Sequence, residues 1–349
     1  MAKKNAKEES KLNYSAEVRS LKERGPEPLY LLWGPEDYLR EQFLRELRTR
    51  CLPEGEDSFS FKRLNGPELD PQELRQAIDA IPFLTERSFV EIRDADLNRV
   101  KDPEAILSAL QDIPDCCTVA FVQTSQFEPD GRTKLIKGIR ARGRDMKFIQ
   151  APQGQLIDWI RRRFAAHGKG IEPEAVQRLI LISGDLMNRL IPEIDKVSAY
   201  AKGDRVTVSD IEAVASHIPE ADIFEMTDSI AQKKPNAALS VLAELLSDKN
   251  NEPIPILALL SGQMRRLYAA RLAVERRLGA KYVMETCALK YDFIAAKIMQ
   301  SARGFTLSQL KTAVEICADT DYKIKSSSLD DRELLIEAVL RIAAGEEHA

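Results

Sequence analysis

Leu29-Tyr30-Leu31-Leu32-Trp33-Gly34-Pro35-Glu36-Asp37-Tyr38-Leu39 decides the fold of the first part of the chain. Five apolar residues stopped by a glycine–proline pair read as a buried strand and a turn. Leu39, Phe43, Leu44 and Leu47 then return every three or four positions. That period predicts a helix over 37–50 with one face on a sheet, and Asp37 is placed to cap its start. Further apolar segments follow at Phe59-Ser60-Phe61, Phe89-Val90-Glu91-Ile92, Thr118-Val119-Ala120-Phe121-Val122 and, more weakly, Phe148-Ile149, with stretches of helical period between them. Parallel strands need a crossover of a dozen residues or more, so this alternation predicts a mostly parallel sheet covered by helices on both faces. Residues 28–150 read as one α/β domain.

A strand that runs through a glycine turn into a helix is the layout of a phosphate-binding loop. A working loop of that kind needs G-x-x-x-x-G-K-[ST], so that backbone N–H groups wrap the phosphates, a lysine meets their charge and a hydroxyl reaches Mg²⁺. The present loop has one glycine, neither the lysine nor the hydroxyl, and two carboxylates, Glu36 and Asp37, at the helix start. Carboxylates there satisfy the helix dipole and repel a nucleotide's phosphates. The segment after Ile92 reads Arg93-Asp94-Ala95-Asp96, with Ala95 where a nucleotidase of this layout carries a glutamate. Asp94 alone is either a metal ligand or a turn carboxylate, and with no phosphate to anchor a metal the second reading is favoured. The layout is that of a nucleotide-binding domain whose phosphate loop has degenerated.

After Ala151-Pro152 the chain reads as all-α, apart from the short Val206-Thr207-Val208. Three amphipathic helices, around 156–164, 176–180 and 190–200, make a small domain over 151–218. A turn at Ile218-Pro219-Glu220 opens a bundle over 219–345, whose longest helix is marked by Ile256, Leu260, Met264 and Leu267. Residues 1–27 have little apolar periodicity and read as a largely flexible tail. The Lys323–Ser328 stretch reads as a polar connection between two helices.

Composition bounds what such a chain does. Among 349 residues, 44% apolar and 30% charged is ordinary for a folded protein, and 51 basic minus 55 acidic residues leave a net charge of −4. A global positive field for nucleic acid is excluded, so any such contact needs a local patch. No run approaches the ~20 apolar residues that cross a bilayer, and the Lys-rich start is unlike a signal peptide, so a cytoplasmic protein is expected. Five cysteines with no CxxC pair read as reduced packing residues, and three scattered histidines lack companion ligands or nucleophiles. Neither a metal nor a cofactor is expected, and no catalytic residue.

The wording of five segments, in order, resembles the delta subunits of bacterial DNA polymerase III: YLLWGPEDYLREQ at 30–42, AIPFLTERSFVEIRDAD at 80–96, SGDLMNRLIPEIDKVSAY at 183–200, ILALLSGQMRRLYAARL at 256–272 and TDYKIKSSSLDDRELLIEAVL at 320–340. The resemblance implies an AAA+-like first domain, a small three-helix lid and a C-terminal helical collar that joins sister subunits. It implies a non-hydrolysing subunit of the polymerase III holoenzyme, itself a nucleotidyltransferase. Its partners would be the beta sliding clamp, which it binds and opens for loading on primed DNA, and the gamma/tau and delta prime subunits of a five-subunit clamp-loader ring in the replisome. Two rival functions remain, an active AAA+-type ATPase and the delta prime subunit; the latter usually carries a Ser-Arg-Cys motif and zinc-binding cysteines, neither of which is present.

The resemblance places clamp contact just before the third strand, at Ile81-Pro82-Phe83-Leu84. Physically, Pro82 stops the helix of Leu74, Ala77 and Ile78, so Phe83 and Leu84 stand where the chain turns. The bland alternative is that they seal the edge of the first domain. Thr85, Glu86 and Arg87 read as rim or solvent. Basic residues concentrate at Arg132, Lys134, Lys137 and Arg140, continuing to Arg142, Arg144 and Lys147, opposed within that window by Asp145. They are either the solvated face of a helix or a DNA-phosphate contact with strong salt dependence.

Overall fold

A computed structural model describes residues 14–53, 60–82, 85–248 and 250–345. The chain divides into two units, one running to Gln150 with Leu186–Asn188 added, the other formed by Ala151–Asp185 and the residues from Arg189 on.

The first unit is built on five parallel strands: β1 (Leu29–Trp33), β2 (Phe61–Asn65), β3 (Ser88–Arg93), β4 (Cys117–Val122) and β5 (Arg144–Lys147). They lie in the order β2-β3-β4-β1-β5, with Leu29 beside Val119 and Tyr30 beside Arg144. The helices that join them are α1 (Tyr14–Arg24), α2 (Asp37–Cys51), α3 (Pro71–Asp79), α4 (Pro103–Ala109) and α5 (Lys134–Arg142). Alternation along each strand splits the core in two. Leu29, Leu31, Val90, Ile92, Val119 and Phe121 pack with α3, α4 and α5, whereas Tyr30, Leu32, Phe89 and Ala120 pack with α1 and α2. Local chemistry starts the helices: the Asp70 and Asp102 side chains accept the N–H groups of Gln72 and Ala105, each with a proline at the first helical position.

Several expectations shift here. Residues 14–24, placed in a tail, form α1, with Leu21 buried in the α2-side core; the first thirteen lie outside the described residues. Asp37 is the first residue of α2 and makes no cap, Glu36 holding the N-cap position. β2 begins at Phe61, where the predicted segment ended. β5 precedes Phe148, which is fully buried but lies beyond the strand.

The second unit opens with α6 (Gln153–Ala166), α7 (Pro173–Ser183), α8 (Met187–Tyr200, whose first two residues belong to the first unit) and α9 (Val208–Val214), with a two-residue parallel pair, β6 (Gly170–Ile171) and β7 (Arg205–Val206). α9 is a short addition to the three helices legible in the sequence. Thr207 belongs to its capping box with Asp210 rather than to a strand. Seven helices follow: α10 (Pro219–Ala231), α11 (Pro235–Ser247), α12 (Pro253–Glu275), α13 (Ala280–Thr286), α14 (Asp292–Ala302), α15 (Leu307–Ser326) and α16 (Asp331–Ala344). Their core gathers Leu260, Met264 and Leu267 of α12 with Leu310 and Ile316 of α15 and Leu335 and Val339 of α16. α15 runs through Ser326 with Ile324 nearly buried, so Lys323–Ser326 are its last turn and not a connection. All five cysteines are free thiols, with Cys51, Cys117 and Cys317 buried.

Candidate functional site

The connections reverse direction at β1, whose neighbours β4 and β5 lie on either side of it. In an open parallel sheet such a switch point, at the carboxyl ends of the strands, is where a ligand sits. Here that place is the Gly34–Asp37 turn, and the chain's own groups fill it. Gly34 has φ +115°, and a Cβ there would stand 2.3 Å from the Phe148 carbonyl oxygen. The glycine therefore serves the close passage of residue 148. That passage is fixed by two hydrogen bonds, from the Phe148 N–H to Trp33 O (2.7 Å) and from the Glu36 N–H to Phe148 O (3.1 Å).

Glu36 is closed to solvent, and its carboxylate accepts the Met187 N–H at 3.4 Å. Arg40, 5% exposed, folds back along α2, donating to the Gly34 carbonyl at 2.7 Å and to Asp37. Asp37 also accepts from Asn188. The buried carboxylate of Glu36 and the partly exposed one of Asp37 thus meet the dipole at the N-terminus of α2, and a cation of the same helix meets Asp37. A phosphate brought here would face two carboxylates.

The second place a nucleotidase would use, the end of β3, is also refitted. Asp94 sits in a left-handed turn (φ 58°), its N–H held by Val122 O at 2.9 Å and its side chain exposed, while Ala95 is buried. This is the turn-carboxylate role. Just before it, Glu91 is buried in β3 and ringed by cations: Arg93 Nε at 2.6 Å, Arg63 Nε at 3.0 Å and Arg48 Nε at 3.9 Å. Arg93 also grips Glu41 of α2 with both of its terminal nitrogens (2.8 and 3.0 Å). Burial alone pushes the Glu41 carboxyl up, but the hydrogen bonds and charge of Arg93, aided by Arg40 and Arg48, outweigh it and hold it below its ordinary value. Among the described residues no group of His, Cys, Asp and Glu is arranged to hold a metal ion, and no helix is long and apolar enough to cross a membrane.

The stretch singled out for partner contact begins where α3 ends. Leu74, Ala77 and Ile78 face the core, and a helix continued by one more turn would put Ile81 on the same face. Instead the helix stops at Asp79, Ala80 leaves it in an extended conformation (φ −64°, ψ 116°), and Pro82 keeps the chain from resuming it. Ile81 is 86% exposed, the most open large apolar residue among the described residues. Phe83 and Leu84 lie outside the described residues; Pro82 is half-buried.

Beyond the two undescribed residues, Thr85 is partly buried, its hydroxyl hydrogen-bonded to Ser60 Oγ at 2.6 Å and donating to Arg87 O at 2.7 Å. On the near side, Arg75 Nε and Nη2 hold Asp79, while its Nη1 reaches the carbonyls of Ala109 and Asp112 at 3.3 Å. The i,i+4 spacing of Arg75 and Asp79 was readable as a helix pair; nothing in the sequence marked the Thr85–Ser60 contact.

The basic segment is more neutral than its window of sequence. Arg132 pairs with Asp130, Lys134 with Glu104, Arg140 with Asp145 and Arg144 with Glu17, and Lys147 lies 3.9 Å from Glu128 and 4.7 Å over the Trp33 ring. Hydrogen bonds from Arg132, with the charge of exposed Lys137 nearby, hold the Asp130 carboxyl down to about 2. Four of the five carboxylates come from outside the window. Leu135, Ile136 and Ile139 fill the opposite face of α5, which is the pattern of a solvated helix face.

Comparisons with known proteins come to the same family. Residues 30–141 match the family model for the DNA polymerase III delta subunit, and 220–342 the model for the C-terminal domain of that subunit. A DNA polymerase III subunit delta from Bacillus subtilis is 28% identical over 335 residues, covering 92% of this chain and 94% of the relative. A probable DNA polymerase III subunit delta from Aquifex aeolicus is 21% identical over 298 residues, covering 82% of this chain and 83% of that one. The solved structure of a Bacillus subtilis DNA clamp loader delta protein aligns with a TM-score of 0.52 at 24% identity, over 94% of this chain and 99% of that chain. At that identity the structural likeness speaks for the fold alone, a parallel-sheet domain followed by helices.

Proposed function

The chain belongs to the DNA polymerase III delta-subunit family, and from that membership we propose that it is the clamp-opening member of the clamp loader. It binds the beta sliding clamp, favours the opened ring and serves its loading on primed DNA, with ATP hydrolysis left to neighbouring gamma/tau subunits. Delta prime completes the five-subunit ring, the helices from α10 onward form the collar that joins these partners, and the assembly works in the cytoplasm at the replisome.

The contact is Ile81, Pro82, Phe83 and Leu84. The observation that carries it is the exposure of Ile81 at an interrupted helix: an isoleucine 86% open to water, at the end of a helix whose other apolar residues are buried, has no role in its own core. Large apolar groups seated in a preformed groove contribute on the order of 1.5–3 kcal/mol each, the scale of an interface hot spot. The self-filled Gly34–Asp37 turn supports the non-hydrolysing part of the reading. The ion-paired state of Arg132, Lys134 and Arg140 favours a solvated face over a DNA contact.

Phe83→Ala with Leu84→Ala tests the reading. Clamp capture should be lost while the melting temperature and ring assembly stay at wild-type values. Wild-type clamp affinity in that double variant would place the contact elsewhere, and nucleotide turnover by the purified chain, abolished by Asp94→Ala, would favour an ATPase.

A further inference from the structure

The exposed turn at Ile81 leaves the first unit between two anchors, and both are made by side chains rather than by the sheet or helix backbone. On the α3 side, Arg75 ties the last turn to α4: it holds Asp79 through two nitrogens and the carbonyls of Ala109 and Asp112 through a third. This matters because Ala80, which follows Asp79, donates no capping hydrogen bond back into the helix. On the β3 side, Thr85 joins Ser60, a residue 1% exposed whose own carbonyl accepts the Phe89 N–H at 2.7 Å. The Thr85 hydroxyl also closes onto Arg87 O, two residues on. One root of the turn is thus fixed to a helix pair, the other to the frame of the sheet.

We propose that Arg75 and Thr85 are positioning residues for clamp binding, fixing the direction in which Ile81 leaves the domain without touching the clamp. The proposal rests on the reading of this turn as the clamp contact. An apolar tip on a fixed base binds with less loss of conformational freedom than one on a loose base, so the anchors raise affinity through preorganisation. Their removal acts on the interface through the tip alone.

Thr85→Val keeps the shape and removes both hydrogen bonds; Arg75→Met keeps the stem and removes the guanidinium. Affinity for the purified beta clamp of the same organism is measured by surface plasmon resonance, together with each variant's melting temperature. We expect each substitution to weaken binding about fivefold, the scale of one or two lost hydrogen bonds, with Thr85→Ser within about twofold of wild type. In an Ile81→Ala background the same substitutions should cost less than their single effects, because the group they aim is gone.

Wild-type affinity in both Thr85→Val and Arg75→Met, with Phe83→Ala/Leu84→Ala still impaired, overturns the positioning role and leaves the clamp contact standing. A full, additive loss in the Ile81→Ala background also overturns it, since the residues would then act through general stability. Wild-type affinity in Phe83→Ala/Leu84→Ala removes the clamp contact, and this inference with it.

Discussion

Ile78 and Ile81 stand three residues apart at the end of one helix, and they are 1% and 86% exposed. The break after Asp79 turns the second away from the face that buries the first. The two isoleucines should therefore divide stability from binding. Ile78→Ala is expected to destabilise by about 2–4 kcal/mol, as buried isoleucine truncations do. Ile81→Ala should stay within about 0.5 kcal/mol of wild type, since truncating an apolar side chain that is 86% exposed removes little buried area. Denaturant unfolding of the two variants checks both values, and Ile81→Ala should in addition weaken clamp binding.

Gly34 and Arg40 hold the emptied phosphate loop together. Gly34→Ala puts a Cβ against the Phe148 carbonyl in a backbone region that L side chains avoid, and should cost about 3 kcal/mol. Arg40→Met leaves the Gly34 carbonyl without its buried donor and should cost about 1–3 kcal/mol. Neither variant should alter nucleotide binding by the purified chain, measured by equilibrium dialysis against ATP. A gain of ATP binding in Arg40→Met would mean that the arginine acts as a lid over a usable site.

Glu91 is a buried carboxylate that faces three arginines from α2, β2 and β3. Removing the carboxylate that these cations share, with Glu41 left to hold Arg93, should make Glu91→Ala cost about 3–5 kcal/mol, the range found when one partner of a buried ion pair is lost. Denaturant unfolding reads this directly. Arg63→Ala, at the half-exposed edge of the cluster, should cost far less.

His217 pairs with Asp222 across the start of α10 at 2.9 Å. The Asp222 hydrogen bond raises the imidazole pKa above its usual 6.5, against the opposing effect of burial. A group with a raised folded pKa adds stability that is complete below its unfolded pKa and lost as pH rises through the folded value. Stability should therefore fall as the pH climbs from about 6.5 upward through the raised value, and Asp222→Asn should flatten that slope. Thermal unfolding across pH 5.5 to 8.5, or the NMR titration of His217, checks the sign; a midpoint below 6.5 would contradict it.

How much of this was legible in the sequence depended on where apolar groups and hydrogen bonds coincide. β1 and α2 were plain because burial and regular structure share the same residues, Leu29–Trp33 and Leu39–Leu47. β5 was displaced because it is a polar strand in which Met146 is the buried residue, while the fully buried Phe148 spends its N–H and carbonyl on Trp33 and Glu36. α1 escaped because Leu21 alone is fully buried along it. The basic segment looked opposed by Asp145 alone because Asp130, Glu104, Glu17 and Glu128 reach it from outside the window. The single glycine and the missing lysine and hydroxyl of the Gly34–Asp37 loop could be read letter by letter, but the reach of Arg40 back to the Gly34 carbonyl could not, since an arginine one turn into a helix is ordinary until its burial is seen. The Thr85 hydrogen bond was hidden for a similar reason: its partner, Ser60, is twenty-five positions away.

The central proposal is that the stretch Ile81–Leu84 is what touches the clamp. A photoreactive amino acid placed at position 81, in the full chain assembled with its clamp-loader partners and mixed with the beta clamp, tests it most directly. The account predicts an adduct with the clamp, mapped to an apolar groove and competed by unlabelled wild-type chain. Position 81 crosslinking only within its own chain or to another loader subunit, while a probe at exposed Leu329 captures the clamp, would contradict it.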